Sequence, residues 1–489
     1  MEKTIQNKPF SPGEGQLGEN REALAFSGRI VLLGFSLIGQ GTLPLLLRHI
    51  DLKPEQITII TGDENGRQVA AEYGVDFHNT PLDQDNYRAL LEPRLGRGDF
   101  LINCSTDVSS IALIGLCQER GALYIDTCIE PWAGGYTDAS VAPALRTNYV
   151  LREMALTLKR PGTPTALITH GANPGMISHL VKEALLNIAR DTGYFTHSVE
   201  IPKDRAGWAQ LARDLNIRAI QIAERDTQVA EPRKALGEFV NTWSVNGFVS
   251  EGCQPSELGW GSHEKHFPAD GHRHETGSKV AIYLTRPGAS TRVRTWTPLA
   301  GPIHGFLITH NESISLADYF SIGAGDHPAY RPTVYYAYHP CDDAVQSVHE
   351  LAGRDWELQP AHRVVKDEIV SGADELGVLL MGHAKGAYWY GSRLSIEDAR
   401  RLAPHNTATS LQVTAPVVAG VIWALRNPER GVIEPEELDH AEIMDFIRPY
   451  LGEVIGEYSD WTPLKNRGQL FDEDLDRSDP WQFKNFRVA

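Results

Sequence analysis

No C-x-x-C pair occurs among the five cysteines, Cys104, Cys117, Cys128, Cys253 and Cys341, which are odd in number and widely spread. That excludes a disulfide framework and a zinc knuckle, and a reducing cytoplasm is the expected compartment. Positive charge is scarce as well: 46 lysines and arginines stand against 63 aspartates and glutamates, a formal net charge of −17. This argues against nucleic acid or an anionic membrane as a partner and leaves cationic small molecules as natural ligands. The longest apolar stretch near the C-terminus, APVVAGVIWAL, is about half of a membrane span and reads as a buried helix. The first twenty residues, MEKTIQNKPFSPGEGQLGEN, lack the apolar run of a signal peptide, so residues 1–25 are expected to be a flexible arm. There is no G-x-S-x-G elbow, no Walker loop and no kinase signature, which leaves hydride chemistry.

What is present is an ordinary globular composition, 42% apolar and 22% charged over 489 residues. That length exceeds what one hydrophobic core normally organises, so two domains are expected. From Phe26 the text GRIVLLGFSLIGQGTLPLLLRHI reads as a buried strand, a glycine turn and an amphipathic helix, the start of a parallel sheet. Gly34, Ser36 and Gly39 occupy the three positions of G-x-G-x-x-G, with serine in place of the second glycine. A second strand, QITIITGDE, then offers Asp63 or Glu64 where a ribose-binding acid is expected. The carboxylate favours NAD, while the nearby Arg67 is the counter-indication, since it suits a 2′-phosphate.

Further strands alternate with helices through DFLINCST, LYIDTCIEPW and TALITHGANPG. The expected fold class is therefore α/β, a Rossmann-type doubly wound parallel sheet over residues 26–175. Ser105, Thr106, Asp107, Asp126, Thr127, Asn173 and Pro174 follow strand ends, where a cofactor's reactive end lies in such sheets. Each also has a capping role open to it: Asp107 or Ser109 for one helix, Asn173 with Pro174 for the helix at Met176.

Beyond about residue 195 the alternation stops. GSKVAIYLTRPG and RVRTWTPLAGPIHGFLITHNESISLADYF read as longer antiparallel strands, giving a second, α+β domain for substrate and dimerisation over 176–414. A helical segment over 415–489, including PEELDHAEIMDFIRPYLGEVIGEY, is expected to pack back on the first domain. The cluster of His263, His266, His272 and His274 suggests a metal, but Phe267 stands where H-E-x-x-H needs its second histidine. Pro268 and Gly271 make this a loop, and no metal is expected.

NTWSVNGFVSEG, residues 241–252, holds Trp243 and Glu251 and neither lysine nor arginine. Core packing for the tryptophan and a solvated loop for the glutamate are the ordinary readings. GFSLIGQG, NCSTDVSS, DTCIEPW and THGANPGMISHL together resemble the saccharopine dehydrogenase-like group. With QIAERDTQ, NTWSVNGFVSEG and ITHNESISLADYF added, the chain from about Gly28 onward resembles the bacterial homospermidine synthases. That resemblance implies condensation of two putrescine molecules to homospermidine and ammonia, with NAD retained as a prosthetic group in a homodimer. It also implies Glu224, Trp243, Glu251, Asn173 and His310 as active-site residues, with related polyamines as further ligands.

The chemistry has its own demands. An alkylammonium with a pKa near about 10.4 must lose a proton before its carbon gives up hydride; His310 or a carboxylate is the candidate acceptor. Glu251 and the face of Trp243 would then stabilise an iminium cation, and Glu224 would hold the distal ammonium. Two rivals stand beside this reading. One is an amino-acid condensing saccharopine or carboxynorspermidine dehydrogenase, which needs an arginine in its pocket, Arg225 or Arg294 being available. The other is a non-catalytic NAD-binding sensor or scaffold.

Overall fold

In the computed structural model, which describes residues 23–194 and 200–488, the strand Ile30–Leu33 is buried along its whole length. Four consecutive aliphatic side chains without alternation require cover on both faces, which only a parallel sheet flanked by helices provides. That sheet has seven strands in the order Val432–Ile433, Ala166–Leu167, Leu123–Asp126, Phe100–Asn103, Ile30–Leu33, Ile57–Thr61, Asp76–Asn79. All its pairings are parallel. The order reverses between Ile30–Leu33 and Phe100–Asn103, the crevice where doubly wound sheets bind ligands. Its outermost strand comes from far along the chain, so the layer is not continuous in sequence.

The second sheet has ten strands. Its spine runs Gly271–Arg273, Ala281–Pro287, Pro255–Gly259, Thr333–His339, Ala219–Asp226, Ala373–His383, Gly386–Ser395 and Glu453–Ser459. The hairpin Arg292–Thr297 with Gly301–Phe306 joins at Thr333–His339. The expected antiparallel pattern dominates, but the central pair Thr333–His339 and Ala219–Asp226 is parallel. This sheet puts Glu224 one strand from Tyr338, and Asp226 directly opposite Asp374.

Several local expectations are corrected. LADY of LADYF, read as strand, lies in the helix Asn311–Tyr319, which begins immediately after His310 and is closed by Phe320. GEVIGEY, read as helix, forms the edge strand Glu453–Ser459 against Gly386–Ser395; its β-branched and aromatic residues suit a pleated surface better than a helix. The long apolar helix begins at Ala408 rather than Ala415 and ends at Arg426, with Thr407 and Ser410 forming a capping box. It is long and apolar enough to cross a membrane, yet it packs against the helix Leu37–His49 on one side and touches strands of both sheets. Of the expected N-terminal arm, residues 1–22 lie outside the described residues, and Leu24–Ala25 form a short strand on Ile50–Asp51.

The four histidines serve the fold, and the segment read as a loop ends in the edge strand Gly271–Arg273, which carries His272. His263 bonds the Trp481 carbonyl at 3.0 Å and His266 meets Asp476 at 2.9 Å, so the loop clasps the C-terminal tail. His274 stacks on Tyr149 and His272 on Tyr283. All five cysteines are free.

Two buried charges bolt the layers together. Glu257 accepts from the backbone of Asn148 at 2.7 Å and Tyr149 at 3.3 Å, the first turn of the helix Asn148–Thr157, and from Thr309 at 2.8 Å. From the same helix, Arg152 is 2% exposed and reaches Glu434 through Nε at 2.6 Å and Asp318 at 2.8 Å. Removing the guanidinium strands the largely buried Glu434 and leaves Asp318 with Arg205 alone, and breaking a buried pair in this way typically costs about 3–5 kcal/mol. Arg152→Leu is accordingly expected to lower the unfolding free energy by that order in chemical denaturation, whereas a change below about 1 kcal/mol would show the clamp to be energetically idle.

Candidate active site

The glycine turn is built around one close approach. Gly34 has φ +77°, and a Cβ there would lie 2.7 Å from the Cys104 carbonyl oxygen and the Ser105 nitrogen. Only glycine permits both the left-handed backbone and this contact between the two strand ends flanking the crevice. Gly39, one turn into the helix, would place a Cβ 2.4 Å from the Gly34 carbonyl oxygen. Its role is close helix–strand packing, and it does not face the crevice.

From this turn a cavity of about 320 Å³ runs to the second sheet. Its first half is walled by Gly34, Ser36, Asp63, Ser105, Thr106 and Thr127, its far half by Asn173, Pro174, Glu224, Trp243, Glu251 and His310. The sequence candidates therefore converge from both layers, with exceptions. Asp126 is buried below the cavity, accepting from Thr169 N at 2.6 Å and Tyr124 Oη at 2.8 Å; burial pushes its carboxyl up to about 7. Asp107 is an exposed residue at φ +62° that does not line the cavity, and Ser109 caps the following helix through Ala112 N. Asn173 does not cap the helix at Met176, whose N-cap is Gly175; its amide points to Glu224 at 3.4 Å.

Glu251 sits on a helix, Val245–Cys253, capped by Ser244, and not on a loop. Trp243 is half-buried: its indole N–H donates to Tyr338 Oη at 3.0 Å, and its ring packs on Phe248 with centroids 5.4 Å apart. Gly247 leaves the space the ring occupies, since a Cβ there would be 3.1 Å from the indole. His310 stands between two carboxylates, Nε2 to Glu251 at 3.0 Å and Nδ1 to Glu312 at 3.2 Å. Burial opposes charge on the ring, but the two carboxylates outweigh it and hold its pKa well above the usual histidine value. Both ring nitrogens of His310 thus face a carboxylate, an arrangement that favours the imidazolium and places His310 and Glu251 together at the cavity wall.

Glu224 accepts a short hydrogen bond from Tyr336 Oη, and burial raises its carboxyl to about 8. Glu130, in DTCIEPW but not singled out by the sequence, also lines the cavity and is raised to about 8, first by burial and then by Glu251. Its position just after a strand end was the available signal. Tyr336 and Thr409 complete the wall; nothing in their sequence surroundings marks them, because they arrive from other elements. Among the described residues, no lysine or arginine lines the cavity. Arg225 is instead spent on Asp342 at 3.0 Å and on two carbonyls, and Arg294 lies in a separate groove. Arg67 is paired with Glu64 and stacked on Phe77, while Asp63 lines the crevice and accepts from Asn65 N at 2.7 Å.

Comparison with known proteins agrees with this geometry. Residues 30–165 match the saccharopine dehydrogenase NADP binding domain and residues 171–459 the saccharopine dehydrogenase C-terminal domain. The chain is 50% identical over 469 residues to a homospermidine synthase of Mesorhizobium japonicum, covering 94% of this chain and 96% of the relative. It is 50% identical over 472 residues to that of Blastochloris viridis, with 94% and 97% covered. The crystal structure of the homospermidine synthase from Legionella pneumophila in complex with NAD superposes with a TM-score of 0.89 at 51% identity, over 96% of this chain and all of that one. A single-sheet reversal point facing a cavity walled by acids, with likeness at this level along nearly its whole length, places the chain in the homospermidine synthase family.

Proposed function

We propose that this chain condenses two putrescine molecules to homospermidine and ammonia, using NAD as a retained prosthetic group. The observation that carries the reading is the wall of the cavity: Glu130, Glu224 and Glu251, with the face of Trp243, and no lysine or arginine beside them among the described residues. Such a wall suits a dication and repels the carboxylate that saccharopine or carboxynorspermidine dehydrogenase would have to bind.

The crevice fits the cofactor. Gly34 opens the turn toward a pyrophosphate, Ser36 and the helix Leu37–His49 follow it, and Asp63 stands where a ribose is bound. Arg67, already neutralised by Glu64, is poorly placed to take a 2′-phosphate, which supports NAD over NADP. When bound, NAD supplies a hydride acceptor and later returns the same hydride. Ser105, Thr106, Thr127, Asn173 and Pro174 border the end of the crevice nearest the acids.

The residues of the chain do the rest. A buried carboxylate takes the proton that the ammonium nitrogen must lose. Glu251, held by the His310 imidazolium, faces the cationic carbon–nitrogen centre, and Trp243 adds cation–π attraction of about 0.5–2 kcal/mol, enough to position but not to supply the rate. Glu224 holds the distal ammonium. Residues 26–175 would serve the cofactor and 176–414 the substrate and the pairing of subunits, in a cytoplasmic homodimer whose assembly light scattering would test.

Incubation with putrescine and substoichiometric NAD is expected to yield homospermidine and ammonia by mass spectrometry without NADH accumulating; stoichiometric NADH would indicate an ordinary dehydrogenase, and no turnover a sensor. For Trp243, the Phe variant is expected to keep part of the turnover and the Ala variant to lose far more, with melting temperatures close to the parent. Core packing would instead cost the Ala variant about 3–5 kcal/mol and make activity follow the folded fraction. Acidity gives a further expectation. Glu224 and Glu130 ionise near 8 rather than at the ordinary 4.5, so the folded protein holds protons that the unfolded chain releases. Their contribution to stability is greatest below 4.5 and is lost as pH rises through about 8. A cation favours the ionised form, so the rise in melting temperature on adding putrescine should grow as pH passes through about 8; a pH-independent rise would place the diamine elsewhere.

A further inference from the structure

An indole attracts a cation only over its face, so the rotation of the Trp243 ring about its own bond matters to a cation site. That torsion has broad, roughly two-fold wells. Phe248 touches the ring with centroids 5.4 Å apart and Gly247 makes room for it, but apolar contacts of this kind do not tell one edge of an indole from the other. The N–H does. It donates to Tyr338 Oη at 3.0 Å, and Tyr338 is wholly buried and lies outside the lining of the cavity. In the register of the central parallel pair Tyr338 stands directly opposite Glu224, so its ring rises from the face that carries the Glu224 carboxyl. Tyr336, two residues earlier on that face, stacks on Tyr338 with centroids 5.1 Å apart and planes 17° from parallel. Tyr336 also donates to Glu224 and packs on the ring of His310 at 4.7 Å. One strand therefore holds, side by side, the hydroxyl that receives the indole and the hydroxyl that receives the carboxylate.

We propose that Tyr338 is a positioning residue for the diamine reaction: its hydroxyl selects the orientation in which the indole of Trp243 turns its face to the substrate cation, and its stacking on Tyr336 fixes that face relative to Glu224. The substrate meets Trp243, Tyr336 and Glu224 at the cavity wall and does not meet Tyr338. Burial, and after it the charges of Glu224, Asp226 and Asp374, keep the Tyr338 hydroxyl un-ionised, so it receives the indole N–H as a neutral acceptor. Phe248 packs on Tyr338 as well as on Trp243, with centroids 5.6 Å apart, and closes the group from the helix side. A phenylalanine in place of Tyr338 would fill the same space and keep the stack on Tyr336, but it would leave the indole N–H without its acceptor. An inward-facing donor without a partner is the costly state, and the ring escapes it by turning. The effect of losing the hydroxyl is therefore carried by Trp243, while the volume of the core is unchanged.

The inference rests on Trp243 facing the diamine, and the test separates the two. Tyr338→Phe is expected to lower kcat with putrescine by about fivefold to tenfold, the range that cation–π attraction supplies. In the Trp243→Phe background, which has no N–H to orient, the same substitution is expected to change kcat by less than about twofold. An equal loss in both backgrounds, no loss in the parent background, or a loss that follows the melting temperature makes Tyr338 a packing residue and overturns the proposal. Nuclear magnetic resonance of protein labelled with 15N in the indole rings of its ten tryptophans gives a reading that needs no putrescine. The signal of Trp243, identified as the one missing from Trp243→Phe, is expected to exchange slowly with solvent in the parent and quickly in Tyr338→Phe. Fast exchange in the parent overturns the proposal even where Tyr338→Phe fails to fold. A parent that does not turn putrescine over overturns the diamine reading, and this inference with it, whatever the exchange shows.

Discussion

Negative charge held out of water without a basic partner is the condition on which the rest of this structure turns. Glu130, Glu224, Asp226 and Asp374 are all buried, and none is paired with a lysine or arginine side chain among the described residues. An isolated buried carboxylate costs several kcal/mol, so the group either takes a proton or waits for a cation. Both answers are visible here. Tyr336, Thr242, Thr409 and Gln228 supply hydrogen bonds, and raised carboxyl pKa values keep protons in place until a cation arrives. His310, fixed between Glu251 and Glu312, orients a carboxylate more than it neutralises the cavity.

Such a cavity needs rigid walls, because a loosened carboxylate would find water and lose its raised pKa. Glu224 accordingly stands on the strand Ala219–Asp226 and Glu251 on the short capped helix Val245–Cys253, while Glu130, beyond a strand end, is tied down by its backbone N–H donating to Ser110 Oγ. The two layers that carry the cofactor crevice and the acids are pinned by Arg152 and Glu257 and share the helix Ala408–Arg426. The apolar length of that helix is explained by its position, with both sheets to cover. Saccharopine dehydrogenase domains thus supply the frame in this family, and among the described residues the cavity they enclose is walled by acids without a lysine or arginine.

Much of the frame was legible along the chain. A run of buried aliphatics before Gly34 and Gly39 announces a parallel strand, a tight turn and a close-packed helix, because those demands are local and act within a few residues. NTWSVNGFVSEG was legible too, since the absence of lysine and arginine beside Trp243 and Glu251 is a property of the sequence. Local pattern failed where two periods compete over a short span, as in GEVIGEY and in the helix Asn311–Tyr319, each of which is decided by the partner it packs against.

The sequence by itself determined the doubly wound layer, the cofactor turn and the acidic, lysine-free character of NTWSVNGFVSEG and ITHNESISLADYF, all of which depend on neighbours in the chain. Only the tertiary structure decided which carboxyls meet. Asp374 comes from a strand far along the chain to lie opposite Asp226, His310 reaches Glu251 from the head of another helix, and Glu130 comes from the other layer. The protonation of each follows from distance, burial and competing charge, quantities that exist only once strands far apart in sequence lie side by side.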